Sequence, residues 1–196
     1  MVLALPQMHH VALVVANMDA TQADFQRRWG VSIEDIREYV TTDAPYRGEV
    51  VTFTARFGFI RTGGAQIEVI QPVEGRSPYT DFLAANNGDG VHHLAYMVES
   101  IDAYLQHLND IGEPPSIQLD VPFAGSGRVI YIEHVGHGPV IELVEMPKAP
   151  GQLGLLSTRL DRAFIYRFCR SFSKRRRKED DYPESNASCN RKSLGL

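Results

Sequence analysis

One segment of this chain occurs twice. His9-His10-Val11-Ala12-Leu13-Val14-Val15-Ala16-Asn17-Met18-Asp19-Ala20 aligns without a gap to His92-His93-Leu94-Ala95-Tyr96-Met97-Val98-Glu99-Ser100-Ile101-Asp102-Ala103, on the shared pattern HHxAxxVxxxDA. Such a repeat constrains the whole fold, because each copy is a supersecondary unit that must bury its apolar face against a neighbour. Each copy runs on through helical apolar spacing to a glycine, Gly30 or Gly112. In the second, Ile101, Tyr104, Leu105 and Leu108 recur at i, i+3, i+4 and i+7, the signature of one buried helix face.

Each copy also closes on a β-rich segment of common pattern. Gln66-Ile67-Glu68-Val69-Ile70-Gln71-Pro72 matches Val140-Ile141-Glu142-Leu143-Val144-Glu145-Met146-Pro147. Between helix and closing strand, residues 49–55 and 57–62 in the first copy and 116–120 and 128–133 in the second read as further strands. Each copy is therefore a βαβββ module. One helix on one small sheet cannot cover both faces, so the two sheets are expected to join side by side with the helices outside. The predicted fold class is α+β: tandem modules, about 8–72 and 91–147, forming one cup-shaped mixed sheet over 8–147. The link 73–90 carries a short helix at Pro78-Tyr79-Thr80-Asp81-Phe82-Leu83-Ala84, with Pro in its first turn.

The chain has 196 residues, 43% hydrophobic and 22% charged, enough for one globular domain and too few for two large ones. Its net charge of -4 conceals a division: residues 1–150 hold 9 Lys and Arg against 19 Asp and Glu, and residues 151–196 hold 11 against 5. The second stretch is a basic C-terminal extension, expected to be helical over 155–172 and disordered after about 173. Its Lys174-Arg175-Arg176-Arg177-Lys178 run has no interleaved aromatics and meets Glu179-Asp180-Asp181 at once, so it reads as solvated rather than as a nucleic-acid site. Both cysteines, Cys169 and Cys189, lie there, which excludes a disulfide framework or a Cys-rich zinc site in the body. The opening MVLALPQMHH lacks the basic start of a signal peptide and is too short for a membrane span, so a cytoplasmic protein without membrane association is expected.

The repeat places one histidine on the first strand and one glutamate on the last strand of each module. Glu68 and Glu142 sit inside otherwise apolar runs, where an unpaired carboxylate is costly to bury. Two imidazoles and two carboxylates suit one divalent ion of intermediate character: cobalt, manganese, nickel, zinc or iron. Strand alternation turns Glu68 away from Ile67 and Val69, and Glu142 away from Ile141, Leu143 and Glu145. The predicted metal ligands are His10, Glu68, His93 and Glu142. By the same alternation His9 and His92 point away, as packing residues or supports of the ligands. Tyr96 and Tyr131 read as packing, and His134 and His137 as solvated loop residues.

These residues resemble the vicinal oxygen chelate superfamily of glyoxalases, bleomycin resistance proteins and dioxygenases, and within it the methylmalonyl-CoA epimerase group. The likeness is carried by HHVALVV, IEVIQP, SPYTDFL, Gly90-Val91-His92-His93-Leu94-Ala95-Tyr96 and Val140-Ile141-Glu142-Leu143, over about residues 8–147. It implies paired βαβββ modules and metal ligation at the four positions above. It also implies an isomerase or lyase that moves a proton through a metal-stabilised enolate on a small oxygen-rich or acyl-CoA substrate, with Glu142 as the catalytic base. The glycine-rich approach to the seventh strand implies substrate binding at Ser126, Gly127 and Arg128, against the plainer reading of a turn. The pattern departs at one place. The second acid-base glutamate of the epimerases, about 17 residues before Glu68, is Val51 here, and Glu49 is displaced by roughly 7 Å along a strand. An iron(II) dioxygenase using His10, His93 and Glu142, and a ligand-sequestering resistance-type protein, are the alternatives. The expected partner is a small-molecule substrate, and a homodimer is compatible with the pattern.

Overall fold

A computed structural model describes residues 3–123, 126–134 and 138–147. The extension at 151–196, with the helix and disorder expected there, lies outside the described residues. Eleven elements follow in order: β1 (Met8–Val14), α1 (Met18–Trp29), β2 (Glu34–Tyr46), β3 (Glu49–Ile60), β4 (Gln66–Glu74), α2 (Pro78–Asn86), β5 (Gly90–Val98), α3 (Ile101–Asp110), β6 (Ile117–Phe123), β7 (Gly127–Ile132) and β8 (Val140–Glu145).

The repeat fixes the helix starts. Asn17 caps α1 by accepting from the Ala20 N–H, and Ser100, at the equivalent repeat position, caps α3 by accepting from the Ala103 N–H. Helix α1 stops at Gly30, whose left-handed φ of 66° favours glycine. The linking helix α2 opens with a capping box between Ser77 and Thr80.

The eight strands form one sheet in the order β1-β4-β3-β2-β6-β7-β8-β5, closed into a barrel. Within each module the first strand runs parallel to the last, β1 with β4 and β5 with β8. The modules meet along the antiparallel β1–β5 ladder. On the far side a single pair, Tyr46 with Leu119, joins β2 to β6, so the expected cup is closed along a seam one residue pair long. Inside lie Ala12, Val14, Ala44, Tyr46, Phe53, Ala55 and others, with Tyr79 of α2 packed among them. Outside, Val69 and Ile60 pack with Met18 and Phe25 of α1, and Leu143 and Ile130 pack with Ile101, Tyr104 and Leu105 of α3. Burying a side chain such as Met18 or Ile101 contributes about 1.5–3 kcal/mol, so these patches hold helices to sheet.

One strand expectation is corrected. Residues 49–55 and 57–62 are not two strands: residues 49–60 form one, β3, and the second strand of the first module is Glu34–Tyr46. The expected division fell at Arg56, which the continuous strand spans, and Gly58 within it has a packing reason, since a Cβ would lie 2.5 Å from Ile33 Cγ2. β2 escaped notice because its alternation is not apolar against polar: Ile36 and Val40 are exposed while Arg37, Tyr39 and Thr41 are partly buried. Among the described residues no helix is long and apolar enough to cross a membrane.

Candidate metal centre

Strand alternation holds on β4 and β8, where Glu68 and Glu142 face the barrel interior while Ile67, Val69, Ile141 and Leu143 face the helices. Parallel pairing sets Glu68 beside Ala12 and Glu142 beside Ala95, so a small residue lies next to each carboxylate-bearing position. His10 and His93 reach the same point from β1 and β5. Their Nε2 atoms are 3.2 Å apart. Glu142 Oε2 lies 3.1 Å from His10 Nε2 and 3.4 Å from His93 Nε2, and Glu68 Oε2 lies 3.3 and 3.6 Å from the same two atoms. All four residues are buried. The four sequence-predicted positions thus converge, with His10, His93 and Glu142 offering ligand atoms all within 4.8 Å of one another.

The two carboxylates of this cluster favour positive charge on its histidines. Burial opposes a charged His10, but the Glu68 carboxylate and hydrogen bonds to Glu142 and Glu68 outweigh it and raise its pKa from 6.5 to about 10. His93 is raised too, burial being outweighed chiefly by Glu142. Burial likewise works against both carboxylate charges, yet His10 holds Glu68 below its ordinary range, and His93 and His10 hold Glu142 well below it. Despite its short contacts, Glu142 Oε2 makes no hydrogen bond of good geometry.

The neighbouring histidines depart from the expected alternation. On the β1–β5 ladder Met8 pairs with Tyr96 and His10 with Ala95, while Ala12 pairs with His93 and Leu13 with Val91, so His9 and His92 are each one residue extra. A bulge of this kind re-aims a side chain. Instead of pointing away, His9 Nδ1 sits 2.9 Å from His10 Nδ1, and His92 Nδ1 sits 2.8 Å from His93 Nδ1. Each doublet thereby leaves the inner histidine's Nε2 for the centre. His92 packs edge-on against Tyr79 and Phe82; burial, then the His93 charge, lower its pKa to about 3, so it stays neutral. On the other side the Gln66 amide lies 3.3 Å from His9 Nε2, and its oxygen accepts from Arg61.

Two aromatics flank the cluster at matching ladder positions. Phe59 pairs with Glu68 and its ring meets His10 edge-on at 5.9 Å; Tyr131 pairs with Glu142 and its ring centre is 4.9 Å from that of His93. The Tyr131 hydroxyl shares a 2.9 Å hydrogen bond with that of Tyr79, and burial keeps both phenols protonated. Tyr131 was expected only to pack; its opposition to Glu142 depends on β7–β8 register, which a single strand does not reveal.

Other predicted site residues fall elsewhere. Arg128 lies on the helix-facing side of β7, bonded to Asp120 through Nε and Nη2 and to Asp102 through Nη1, so the structure does not bring it to the cluster. Gly127 has a packing reason to be glycine, since a Cβ would lie 2.3 Å from the Phe123 oxygen and 2.7 Å from that of Glu145. Ser126 is exposed in the β6–β7 turn. Val51 packs against the interior apolar cluster, opposite Ala44 on β2. Glu49 is an exposed partner of Arg76. Tyr96 packs on the α3 side, His134 is exposed, and His137 lies outside the described residues.

Residues 8–131 match the Glyoxalase/Bleomycin resistance protein/Dioxygenase superfamily. The chain belongs to this superfamily. Two similar sequences are an ethylmalonyl-CoA/methylmalonyl-CoA epimerase of Cereibacter sphaeroides, 29% identical over 106 residues (54% of this chain, 71% of the relative), and the mitochondrial methylmalonyl-CoA epimerase of Homo sapiens, 25% identical over 146 residues (74% and 75%). Two solved structures share the fold. Methylmalonyl-CoA epimerase from Mycobacterium tuberculosis superimposes with a TM-score of 0.54 at 23% identity, covering 75% of this chain and 95% of that one. A variant of 4-hydroxymandelate synthase from Streptomyces coelicolor gives 0.51 at 19%, covering 75% and 50%. Identities this low carry the architecture alone.

Proposed function

We propose that this chain is a divalent-metal-dependent isomerase or lyase of the superfamily, moving a proton beside a carbonyl group of a small oxygen-rich or acyl-CoA substrate. One observation carries the reading: two imidazole nitrogens and two carboxylate oxygens from both halves of the repeat converge within 3.1–3.6 Å of one another across each histidine–glutamate pair. The donor set fits a cation of the cobalt, manganese, nickel, zinc or iron kind. Glu142 Oε2 is buried and makes no hydrogen bond of good geometry, which leaves it free to serve as a ligand oxygen. In the metal-free protein a proton held on His10 to about pH 10 stands in for that charge.

His10, Glu68, His93 and Glu142 would hold the ion. Once bound, it supplies Lewis acidity that lowers the pKa of the carbon next to a chelated carbonyl. His9 and His92 fix the ring orientation of the two ligand histidines through their Nδ1 contacts. Glu142 is the base. Released from the ion, it would accept the proton from a carbon that chelation makes acidic. The Tyr79–Tyr131 pair has two O–H groups and spends one on itself, leaving one to donate to a substrate oxygen. Val51 offers no acid or base on the opposite wall, so the proton leaves and returns on one face. The chemistry favoured is a one-base proton shift rather than two-base inversion.

Elemental analysis of purified protein, followed by deuterium exchange from solvent into methylmalonyl-CoA and the hemithioacetal of methylglyoxal, tests the reading. Exchange with at least one substrate, reduced about 100-fold or more in Glu142→Gln, is expected. No exchange under any bound metal removes it. A second reading, an iron(II) dioxygenase, draws on the compactness of the His10, His93 and Glu142 set. Glu68→Ala protein that keeps iron and consumes oxygen with substrate would favour it.

A further inference from the structure

Arg37, on the inner face of the barrel, is a cation without a carboxylate partner among the described residues. Among the described residues, every other arginine has a carboxylate partner: Arg27 and Arg28 share Asp24, and Arg47, Arg56, Arg61, Arg76 and Arg128 each have their own. Arg37 has none, and its Nε is buried with no hydrogen-bond partner. A buried, unpaired donor on a charged group is costly, and proteins seldom keep one without a use.

Its position suggests the use. Arg37 pairs with Phe57 on β3, and Phe57 pairs with Ile70 on β4, both part of the interior cluster. Its neighbour Ile36 faces outward, near the position a Cβ on Gly58 would take. The rung Arg37–Phe57–Ile70 lies next to the rung of Phe59 and Glu68. Arg37 therefore stands two strands, about 10 Å, from the glutamate strand, a gap that an arginine side chain and a small substrate span together. Beside it Tyr39 and Phe57 pack with ring centres 5.9 Å apart, an apolar setting that strengthens a charge-assisted bond.

We propose that Arg37 binds a carboxylate carried by the substrate, so that the site takes a carbonyl compound with an anionic group distal to its chelating end. The inference rests on the proposed function for the position of that chelating end. A guanidinium presents Nε–H and one Nη–H as a planar edge matching the two oxygens of a carboxylate. The anion belongs to the substrate's own skeleton, because Arg37 is one rung from the cluster.

The test uses the full-length ¹⁵N-labelled protein with and without cobalt(II), and two probes that share a chelating 2-oxo acid end. 2-Oxoglutarate has a distal carboxylate; 2-oxopentanoate does not. The Arg37 Nε–H resonance, assigned by its loss in Arg37→Met, should move with 2-oxoglutarate and stay still with 2-oxopentanoate. Wild-type protein should bind 2-oxoglutarate about tenfold to a hundredfold more tightly, Arg37→Met should lose that preference at unchanged 2-oxopentanoate affinity, and Arg37→Lys should keep part of it. A resonance that stays still while the cobalt spectrum reports bound 2-oxoglutarate overturns the proposal and leaves the metal reading standing. A resonance that moves in protein unable to hold cobalt sustains the proposal and overturns the metal reading. Persistence of the preference in Arg37→Met, or no shift with either acid, overturns the proposal outright.

Discussion

Replacing Glu142 by Gln removes one negative charge and little else, and its consequence can be worked from distances. Glu142 Oε2 is 3.1 Å from His10 Nε2. At an effective dielectric constant of about 20, a unit charge pair at that separation is worth about 5 kcal/mol, or about 4 pKa units. His10, raised to about 10 in the wild type, should then titrate well below that value, with Glu68 still favouring its charge. An imidazolium must lose its proton before Nε2 can bind a metal, so zinc binding at pH 8 should release at least one proton per ion from the wild type and fewer from Glu142→Gln. Calorimetric titration in two buffers of different ionisation enthalpy counts these protons. Wild-type zinc affinity should climb between pH 8 and 10, whereas that of the variant should level off at lower pH. Stability of the metal-free protein carries the same sign. A folded pKa raised above the unfolded one contributes fully below about pH 6.5 and is lost as pH rises through about 10, so the metal-free wild type should melt progressively lower over that window and the variant should do so less. An unchanged proton count in Glu142→Gln would refute the view that the carboxylates hold charge on His10.

Two further predictions follow from packing. His92→Phe keeps an aromatic ring against Tyr79 and Phe82 but removes the nitrogen 2.8 Å from His93 Nδ1. Metal affinity, measured by chelator competition, should fall about 10- to 100-fold; an unaltered affinity would show that His92 only packs. Gly127→Ala places a methyl group 2.3 Å from the Phe123 oxygen and 2.7 Å from that of Glu145, so urea denaturation should show a loss of about 2 kcal/mol or more. A variant as stable as the wild type would return Gly127 to the list of residues kept glycine for a ligand.

Legibility of the centre in the sequence followed from periodicity. Glu68 and Glu142 could be oriented from their neighbours because β4 and β8 alternate without interruption, and repeat symmetry paired each with a histidine. His9 and His92 could not. Their strands carry one residue extra on the shared ladder, and a bulge is a property of two paired strands rather than of either alone. Only the doubling of HH in both copies hinted that the outer histidine was more than packing.

By itself the sequence determined the two-module plan, because a repeat with helical and strand periods forces each copy to bury the same faces. It determined the four converging side chains for the same reason. Tertiary structure decided what depends on register between strands distant along the chain. The single Tyr46–Leu119 pair closes the barrel, β7–β8 pairing sets Tyr131 beside Glu142, and β2–β3 pairing turns Arg37 inward. A one-residue slip in any of these ladders would send the side chain to the opposite face, and no local pattern of residues records which register wins.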